Sequence, residues 1–281
     1  MVSKSEFLGA KIMERVLAHD LDQGGMYLEV TGAQGTFKTG ALLAFTQATL
    51  QRYPKDKIFW SECFKTPLQC FRLGIEKIHL MVQEGSNVVF RDRNNHLEKV
   101  SIPVTYFTNF EDCFNKAILG KVNVVFFSDR KTWRLFLSYL RDIGEWIHVF
   151  IDEISEVAPA NPSGDEYWDM VEFGWVMKDV RKCQMKVYTN TQTASDVDYR
   201  VRTKIMVKVF LPGARKDPHC RVTQQAIDNL VRDESRGNQA WIEYTGDFGL
   251  VVFKDIYRPN PKLQIGAYID AGPQTVKINE S

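Results

Sequence analysis

The sequence predicts an α/β fold built on a mainly parallel sheet with helices on both faces. Apolar runs at residues 26–31, 57–61, 122–127, 146–151 and 185–188 alternate with helical patterns at 40–53, 110–119, 132–143 and 165–183. Repeated strand and helix segments of this size are typical of parallel strands joined by crossover helices. The strands are apolar along their whole length, which indicates burial of both sheet faces. A glycine-rich turn between the first of these strands and its helix is the third indication.

The composition is that of a globular protein. Of 281 residues, 44% are hydrophobic and 25% are charged, which suits one large domain or one domain with an appendage. The net charge of +1 argues neither for nor against a nucleic-acid partner, so any basic surface must be local. The 5 cysteines are scattered, which favours reduced thiols and a cytoplasmic location. No apolar run is long enough to span a bilayer, and the N-terminus has a helical pattern rather than that of a signal peptide.

The order of elements divides the chain into three parts. Residues 1–23 hold an N-terminal helix, residues 24–212 form the core, and residues 213–281 hold a helix at 223–232, a hairpin at 240–253 and a tail. Within the core, a helical pattern at 67–83 precedes two strands, at 87–93 and 98–106, that flank a polar turn. These strands predict an inserted β-hairpin at about 86–107, and Pro103 indicates that one of them is an edge strand.

The glycine-rich turn matches a phosphate-binding loop of the Walker A type. Its backbone N–H groups and the positive end of the following helix would cradle phosphates. Lys38 would reach the β- and γ-phosphates, and the Thr39 hydroxyl would bind Mg²⁺. The motif asks for glycine before the lysine, and this chain has Phe37, whose side chain restricts the backbone. The alternative is an ordinary turn with a solvated lysine. The predicted nucleotide-binding residues are Gly32, Ala33, Gln34, Gly35, Thr36, Phe37, Lys38, Thr39 and Gly40.

An acidic pair follows a second apolar strand, as in a Walker B motif. The strand at 147–151 delivers Asp152 and Glu153 to the carboxyl edge of the sheet, where open α/β sheets bind ligands. Asp152 would hold Mg²⁺, and Glu153 would polarise the attacking water as a general base. The alternative is that these two acids begin a surface loop. Their position downstream of a phosphate loop favours the catalytic interpretation, with hydrolysis rather than phosphoryl transfer to a second substrate.

Polar and basic residues follow the strand at 185–188. Gln192 or Asn190 would sense the γ-phosphate, although a turn or a helix cap explains Asn190 equally well. Arg200 and Arg202 would stabilise charge on the phosphoryl group across a subunit boundary. A salt bridge to a neighbouring aspartate is the simpler explanation for each arginine alone. The 5 histidines are dispersed and show no metal-ligand spacing.

Taken in order, these motifs resemble those of the FtsK–HerA superfamily of P-loop ATPases. The resemblance covers about residues 24–255 and rests on GAQGTFKT at 32–39, IHVFIDEI at 147–154, and VRKCQMKVYTNTQ at 180–192 with SDVDYRVR after it. The helix and hairpin at 226–253 are similar to the elements that come after the core in such proteins. In size the chain is similar to the small ATPases of archaeal viruses and plasmids and to zonula-occludens-toxin-like proteins.

The resemblance implies a RecA-like core that forms rings, usually hexamers, and hydrolyses ATP with Mg²⁺ to move DNA through a central pore. It implies that Lys38 and Thr39 bind phosphates and Mg²⁺, that Asp152 and Glu153 are the Walker B pair, and that Gln192 is the sensor. Arg200 or Arg202 would be the arginine supplied in trans. Phe37 departs from the family pattern, which puts the affinity for nucleotide in question.

The sequence thus favours an ATP-driven motor that moves double-stranded DNA for a virus or mobile element. It would work in the host cytoplasm or on the virion, with a capsid or membrane-associated partner. The alternative is a nucleotide-gated assembly or extrusion protein that acts through protein partners. DNA-stimulated ATP turnover would favour the motor, and dependence on a protein partner would favour the assembly role.

Overall fold

A computed structural model describes residues 3–19, 24–63, 69–91, 101–127, 129–233, 237–253 and 266–270. Its helices are α1 (Lys4–Leu17), α2 (Lys38–Arg52), α3 (Phe110–Lys116), α4 (Arg130–Arg141), α5 (Asp165–Asp179), α6 (Tyr199–Arg202) and α7 (Gln224–Asp228). Its strands are β1 (Met26–Thr31), β2 (Lys57–Cys63), β3 (Ile78–Gln83), β4 (Asn87–Arg91), β5 (Val104–Phe107), β6 (Val122–Phe127), β7 (Ile147–Ile151), β8 (Met185–Thr191), β9 (Val207–Phe210), β10 (Arg232–Asp233), β11 (Gly237–Tyr244), β12 (Asp247–Phe253) and β13 (Gly266–Asp270). Short 3₁₀ segments lie at 69–73, 75–77, 154–156, 180–182 and 194–196.

One sheet of eleven strands carries the fold. Its order is β10-β11-β9-β1-β8-β7-β2-β6-β3-β5, with β12 paired to β11. The eight strands from β9 to β5 are mutually parallel, and the additions at the β11 end are antiparallel. The predicted α/β class with a mainly parallel sheet is confirmed.

Both faces of this sheet are buried, as the apolar strands predict. Alternate residues of β1 point to opposite faces: Leu28 and Val30 join α1 and α2 in one apolar core, and Tyr27 joins α3, α4 and α5 in the other. A strand buried on both sides exposes no polar face, which explains why its sequence does not alternate.

The N-terminal helix forms as the sequence predicts. Ser3 and Glu6 form a capping box at its start, in which the Ser3 hydroxyl accepts from the Glu6 N–H and the Glu6 carboxylate accepts from the Ser3 N–H. Its buried face meets β12 so closely that a Cβ on Gly9 would lie 2.1 Å from the Leu250 carbonyl oxygen. Among the described residues, no helix combines the length and apolarity that a membrane span requires.

The predicted hairpin at about 86–107 falls partly on residues 92–100, which lie outside the described residues. Of its two predicted strands, the described parts are β4 and β5. Strand β4 pairs antiparallel with β13, and β5 pairs parallel with β3 at the edge of the main sheet. Pro103 immediately precedes β5, so its assignment to an edge strand is correct.

Three further expectations need correction. The predicted helix at 67–83 is two 3₁₀ segments followed by β3, a strand inside the sheet. Strand β9, between β1 and β11, was missed because it is only four residues long. The predicted helix at 223–232 is confined to α7. The hairpin of β11 and β12 is confirmed, and β11 pairs with β9 in the main sheet.

Candidate functional site

The predicted motifs meet at the carboxyl edge of three neighbouring parallel strands. In the sheet, β8 lies between β1 and β7. The register pairs Thr31 with Thr191 and Ile151 with Thr189, so β1 and β8 end level with each other and β7 ends two residues earlier. The phosphate loop follows β1, the acidic pair follows β7, and the polar residues end β8. The topology therefore brings the phosphate loop together with two segments that lie more than a hundred residues later in the sequence.

Lys38 folds back over the phosphate loop. Its Nζ donates to the carbonyl oxygens of Gly32 and Ala33, each at 3.1 Å. Within the loop, the Thr36 hydroxyl also donates to the Ala33 oxygen, at 2.6 Å. The side chains of Thr36 and Lys38 therefore hold the loop closed. The loop leads directly into α2, whose first N–H groups have no hydrogen-bond partners within the helix.

Phe37 occupies a backbone conformation that normally belongs to glycine. Its φ of 76° and ψ of 20° lie in the left-handed region, and it immediately precedes α2. The Walker A glycine missing from the sequence is therefore missing at a position that demands positive φ. The Phe37 ring lies on Gly40, where an added Cβ would be 2.3 Å from Cε2, and it packs against the apolar core around α2. These contacts account for the phenylalanine and for the small residue at position 40.

Thr39 and Asp152 are in direct contact. The Thr39 hydroxyl donates to Asp152 Oδ1 at 3.0 Å, and the Asn190 amide donates to the same oxygen at 2.5 Å. The Asn190 carbonyl oxygen in turn accepts from the Glu153 N–H at 2.8 Å. Asn190 is 1% exposed and therefore fixes both acidic residues from the end of β8.

Glu153 is also held in a left-handed conformation, with φ of 62°. Its Oε1 accepts from the Ser155 hydroxyl at 2.7 Å and from the Thr191 hydroxyl at 3.3 Å. Non-glycine residues with positive φ cost roughly 1–3 kcal/mol each and concentrate at functional sites. Both Phe37 and Glu153 lie in the loops of this site.

The charges of the site influence one another. Burial raises the pKa of the Asp152 carboxyl, against the hydrogen bonds from Asn190 and Thr39 and the charge of Lys38. Burial lowers the pKa of the Lys38 ammonium, against the charges of Glu153 and Asp152. A hydroxyl and a carboxylate in contact are the oxygen ligands that Mg²⁺ prefers, so the residues present fit this ion.

Comparison of the structure with solved structures identifies the architecture. The genome packaging NTPase of Sulfolobus turreted icosahedral virus 2, in complex with ATP-gammaS, superposes with a TM-score of 0.50 over 80% of this chain and 96% of that one, at 10% identity. The chain has the fold of a P-loop ATPase. At 10% identity this likeness shows a shared fold, and the predicted α/β core with a mainly parallel sheet agrees with it.

A second solved structure covers more of the chain but superposes less well. The N-terminal domain of zonular occludens toxin from Neisseria meningitidis matches 89% of this chain and 96% of that one, at 12% identity, but its TM-score of 0.37 supports no conclusion. No protein-family model matches the chain, and no curated protein matches it in sequence.

Within this P-loop fold, the remaining predicted residues stand outside the cluster around Asp152. Gln192 lies just beyond the end of β8 and is exposed. Arg200 donates to the buried Asp198 carboxylate at 2.8 Å, and Arg202 donates to the Ala194 carbonyl oxygen at 3.1 Å. Roles for these three side chains stay predictions.

The sequence analysis did not anticipate the contacts that Asn190, Ser155 and Thr191 make with the acidic pair. Asn190 was considered only beside Gln192, and the support of Glu153 by Ser155 and Thr191 was not anticipated. A signal for Asn190 existed in the sequence. Tyr188 and Phe150 face the core that contains α2. Asn190 lies two residues after Tyr188 on β8, and Asp152 lies two residues after Phe150, immediately past the end of β7, so both are placed on the same face as Thr39.

Proposed function

We propose that this chain hydrolyses ATP with Mg²⁺ and uses the energy to move DNA. The observation that carries the proposal is the hydrogen bond from Thr39, at the end of the phosphate loop, to Asp152. The Asn190 amide donates to the same Asp152 oxygen and holds the carboxylate in this position. If the glycine-rich segment were an ordinary turn with a solvated lysine, there would be no reason for the buried Asn190 to hold the Asp152 carboxylate against Thr39 in the first turn of α2.

Each part of the proposed site has its own role in the cleavage of the phosphate bond. The loop N–H groups and the start of α2 bind the phosphates, and Lys38 exchanges the Gly32 and Ala33 carbonyls for phosphate oxygens. Thr39 and Asp152 would hold Mg²⁺, which supplies positive charge to the phosphate oxygens when bound. Glu153, positioned by Ser155, accepts the proton of the attacking water. Gln192 is proposed to contact the γ-phosphate.

The substrate that is moved is proposed from the shared fold. The chain shares its fold with the genome packaging NTPase of Sulfolobus turreted icosahedral virus 2. Double-stranded DNA is therefore the first partner to test, in the host cytoplasm or at the virion. Because the net charge is only +1, a DNA-binding surface must come from local clusters of basic residues.

A ring of copies is proposed as the working form, with a hexamer as the expected state. Four large aromatic side chains on and near α5 and α6 are exposed in the single chain: Tyr167 at 41%, Trp168 at 67%, Trp175 at 56% and Tyr199 at 58%. Exposed aromatic groups in this number are typical of a surface that another protein covers. We call these four residues the α5–α6 surface and propose that a second copy of the chain binds there.

The decisive measurement is the steady-state rate of ATP hydrolysis with and without double-stranded DNA. We expect Mg²⁺-dependent turnover that DNA stimulates. Lys38→Ala should reduce turnover at least 100-fold because it removes the ammonium at the phosphates, and Glu153→Gln should retain bound nucleotide while losing a similar factor in kcat. His219→Asn, at an exposed position, is the control and should keep the wild-type rate.

The outcomes separate the alternatives. A wild-type chain that is folded and shows no turnover, with or without DNA, would contradict the ATPase proposal. Turnover that is indifferent to DNA and rises with a protein partner would favour the nucleotide-gated assembly role.

A further inference from the structure

Two histidines and an aspartate converge at the opposite edge of the sheet from the phosphate loop. His19 follows α1, Asp56 lies in the turn between α2 and β2, and His148 is the second residue of β7. Asp152 follows the other end of β7, so the length of that strand separates this group from the proposed ATPase site. We call these three residues the His–Asp–His cluster.

The three ligand-type atoms form a small triangle. Asp56 Oδ2 lies 2.9 Å from His19 Nε2 and 2.9 Å from His148 Nε2. The two Nε2 atoms lie 3.2 Å apart. In a tetrahedral zinc site with bonds of 2.0–2.2 Å, neighbouring ligand atoms are about 3.3–3.6 Å apart. The triangle is therefore close to one face of such a tetrahedron.

Hydrogen bonding alone does not satisfy all three contacts while Asp56 is ionised. If both Nε2 atoms carry a proton toward Asp56, its Oδ2 accepts from both, and two N–H groups crowd one oxygen with their nitrogens 3.2 Å apart. If only one carries a proton, the lone pair of the other faces a carboxylate oxygen at 2.9 Å. A single cation between the three atoms makes every contact favourable.

The surroundings fix the cluster in place. The His19 ring is stacked between Tyr53, at 3.5 Å between centroids, and Trp146, at 4.0 Å. The His19 backbone N–H donates to the Tyr53 hydroxyl at 2.8 Å. The His148 side chain is 1% exposed, and its Nδ1 has no partner among the described residues, so Nε2 makes all of the ring's polar contacts. Rings held this firmly are oriented before any ligand arrives.

We propose that the His–Asp–His cluster binds one divalent transition-metal ion of the zinc class. Two imidazoles and one carboxylate are ligands that such ions accept, and three protein ligands leave one position for water. The side chains of His19 and Asp56 are 17% and 16% exposed, which gives the ion a route of entry. The ion ties the end of α1 to the amino edge of the sheet.

One neighbour limits the affinity. The Lys186 ammonium is buried beside the cluster, where it donates to the Val16 and Ala18 carbonyl oxygens that end α1. Its positive charge opposes a divalent ion across a short distance in a medium of low dielectric constant. We therefore expect zinc affinity in the micromolar range, weaker than that of closed four-ligand structural sites.

The test is zinc binding by the full chain after treatment with a chelator. Equilibrium dialysis against Zn²⁺, with metal measured by atomic absorption, should give one ion per chain. Asp56→Asn and His19→Asn should each weaken binding at least tenfold, because each removes one of three ligands. His219→Asn, which changes an exposed histidine outside the cluster, should leave the stoichiometry and affinity unchanged. Asp152→Asn should also retain the ion, which separates this site from the proposed magnesium site.

A spectroscopic readout covers the case in which a variant does not fold. Co²⁺ added to the wild-type chain should give the visible absorption of a low-symmetry tetrahedral site, and Zn²⁺ should displace it. A folded wild-type chain that binds no zinc at micromolar concentrations and gives no such absorption would overturn the proposal. Zinc binding that survives both cluster substitutions and is lost in Asp152→Asn would overturn it as well.

Discussion

At the scale of single residues, Phe37 is the place where the phosphate loop departs from its motif. A left-handed conformation costs an L-residue with a Cβ roughly 1–2 kcal/mol, and glycine avoids that cost. The ring contacts with Gly40 and with the core around α2 offset part of it. Two substitutions separate the backbone cost from the ring packing.

We expect Phe37→Gly to be more stable than Phe37→Ala by about 1 kcal/mol. Both variants lose the ring, but only alanine keeps the cost of positive φ at this position. In ordinary backbone conformations the order is reversed, with alanine more stable than glycine. Urea denaturation followed by circular dichroism measures the difference in the free energy of unfolding. An alanine variant as stable as the glycine variant would show that position 37 is not left-handed in solution.

Asn190 is expected to matter more to turnover than Gln192. Asn190 contacts the Asp152 carboxylate and the Glu153 N–H, so Asn190→Ala frees both acids and should lower kcat at least tenfold. Gln192→Ala removes an exposed side chain at the end of the same strand and serves as the matched comparison. The measurement is kcat at saturating ATP, with circular dichroism to confirm folding. A severe loss in Gln192→Ala alone would reverse this ranking and identify Gln192 as the side chain that the chemistry needs.

At the scale of elements, the sequence predicts segments better than it predicts their partners. The runs that became β1, β6, β7 and β8 are apolar and short, and their burial on two faces follows directly from composition. The strand β3 was mistaken for a helix because a fully buried run has neither the alternation of a half-exposed strand nor a clear helical stripe. The pairing of β4 was not predicted for a different reason. Its partner in the described residues is β13, about 180 residues later, and local patterns in the sequence do not indicate a pairing over such a separation.

The site shows the same limit. Lys38, Thr39, Asp152 and Glu153 could be predicted as site residues because each has a fixed place in a local motif. The His–Asp–His cluster was not predicted, because its three residues come from different elements and therefore show no ligand spacing in the sequence. Only the parallel order of the strands and the placement of α1 bring these three side chains together.

A cross-strand pair between β1 and β9 predicts how stability depends on pH. Glu29 is 2% exposed and lies beside Lys208 in the register of the two strands, and Lys208 donates to Asp217 at 2.9 Å. Burial raises the pKa of the Glu29 carboxyl from 4.5 to about 8, against the charges of Lys208 and Arg202. In the folded chain this carboxyl therefore keeps its proton below about pH 8, whereas in the unfolded chain it loses the proton above about pH 4.5.

The consequence is a loss of stability as pH rises through that window. The unfolded state gains an ionised carboxylate that the folded state lacks, at up to roughly 1.4 kcal/mol for each pH unit. Glu29→Gln does not titrate, so the variant should gain stability relative to wild type between pH 5 and pH 8, by roughly a few kcal/mol in total. Denaturant titrations at several pH values measure this difference. A difference between variant and wild type that is constant across the window would contradict a buried, protonated Glu29.

At the scale of the whole molecule, the α5–α6 surface joins the proposed ring to the proposed chemistry. Arg200 lies in a groove of about 400 Å³ that includes Tyr167 and Tyr199, and its guanidinium is 4.1 Å from the centre of the Tyr167 ring. An arginine that acts on the nucleotide of another copy must lie on a surface that the two copies share. The exposed aromatic residues and the candidate arginine occupy the same face of this chain.

Two substitutions on this face should therefore separate assembly from turnover. Trp175→Ser removes an exposed aromatic side chain, so it should shift the oligomer toward monomer and lower the rate of ATP hydrolysis together with it. Arg200→Ala should leave the oligomeric state unchanged. It should lower kcat at least tenfold, because it removes the positive charge that one copy supplies to the nucleotide site of its neighbour. Sedimentation velocity gives the mass of the oligomer, and turnover at several protein concentrations shows whether the rate depends on assembly.

Leu135→Ser, at an exposed position of α4, is the matched control for the loss of exposed apolar area. A wild-type chain that stays monomeric with ATP and DNA, yet turns over ATP at a rate independent of its own concentration, would refute the ring and would leave Arg200 as the salt-bridge partner of Asp198.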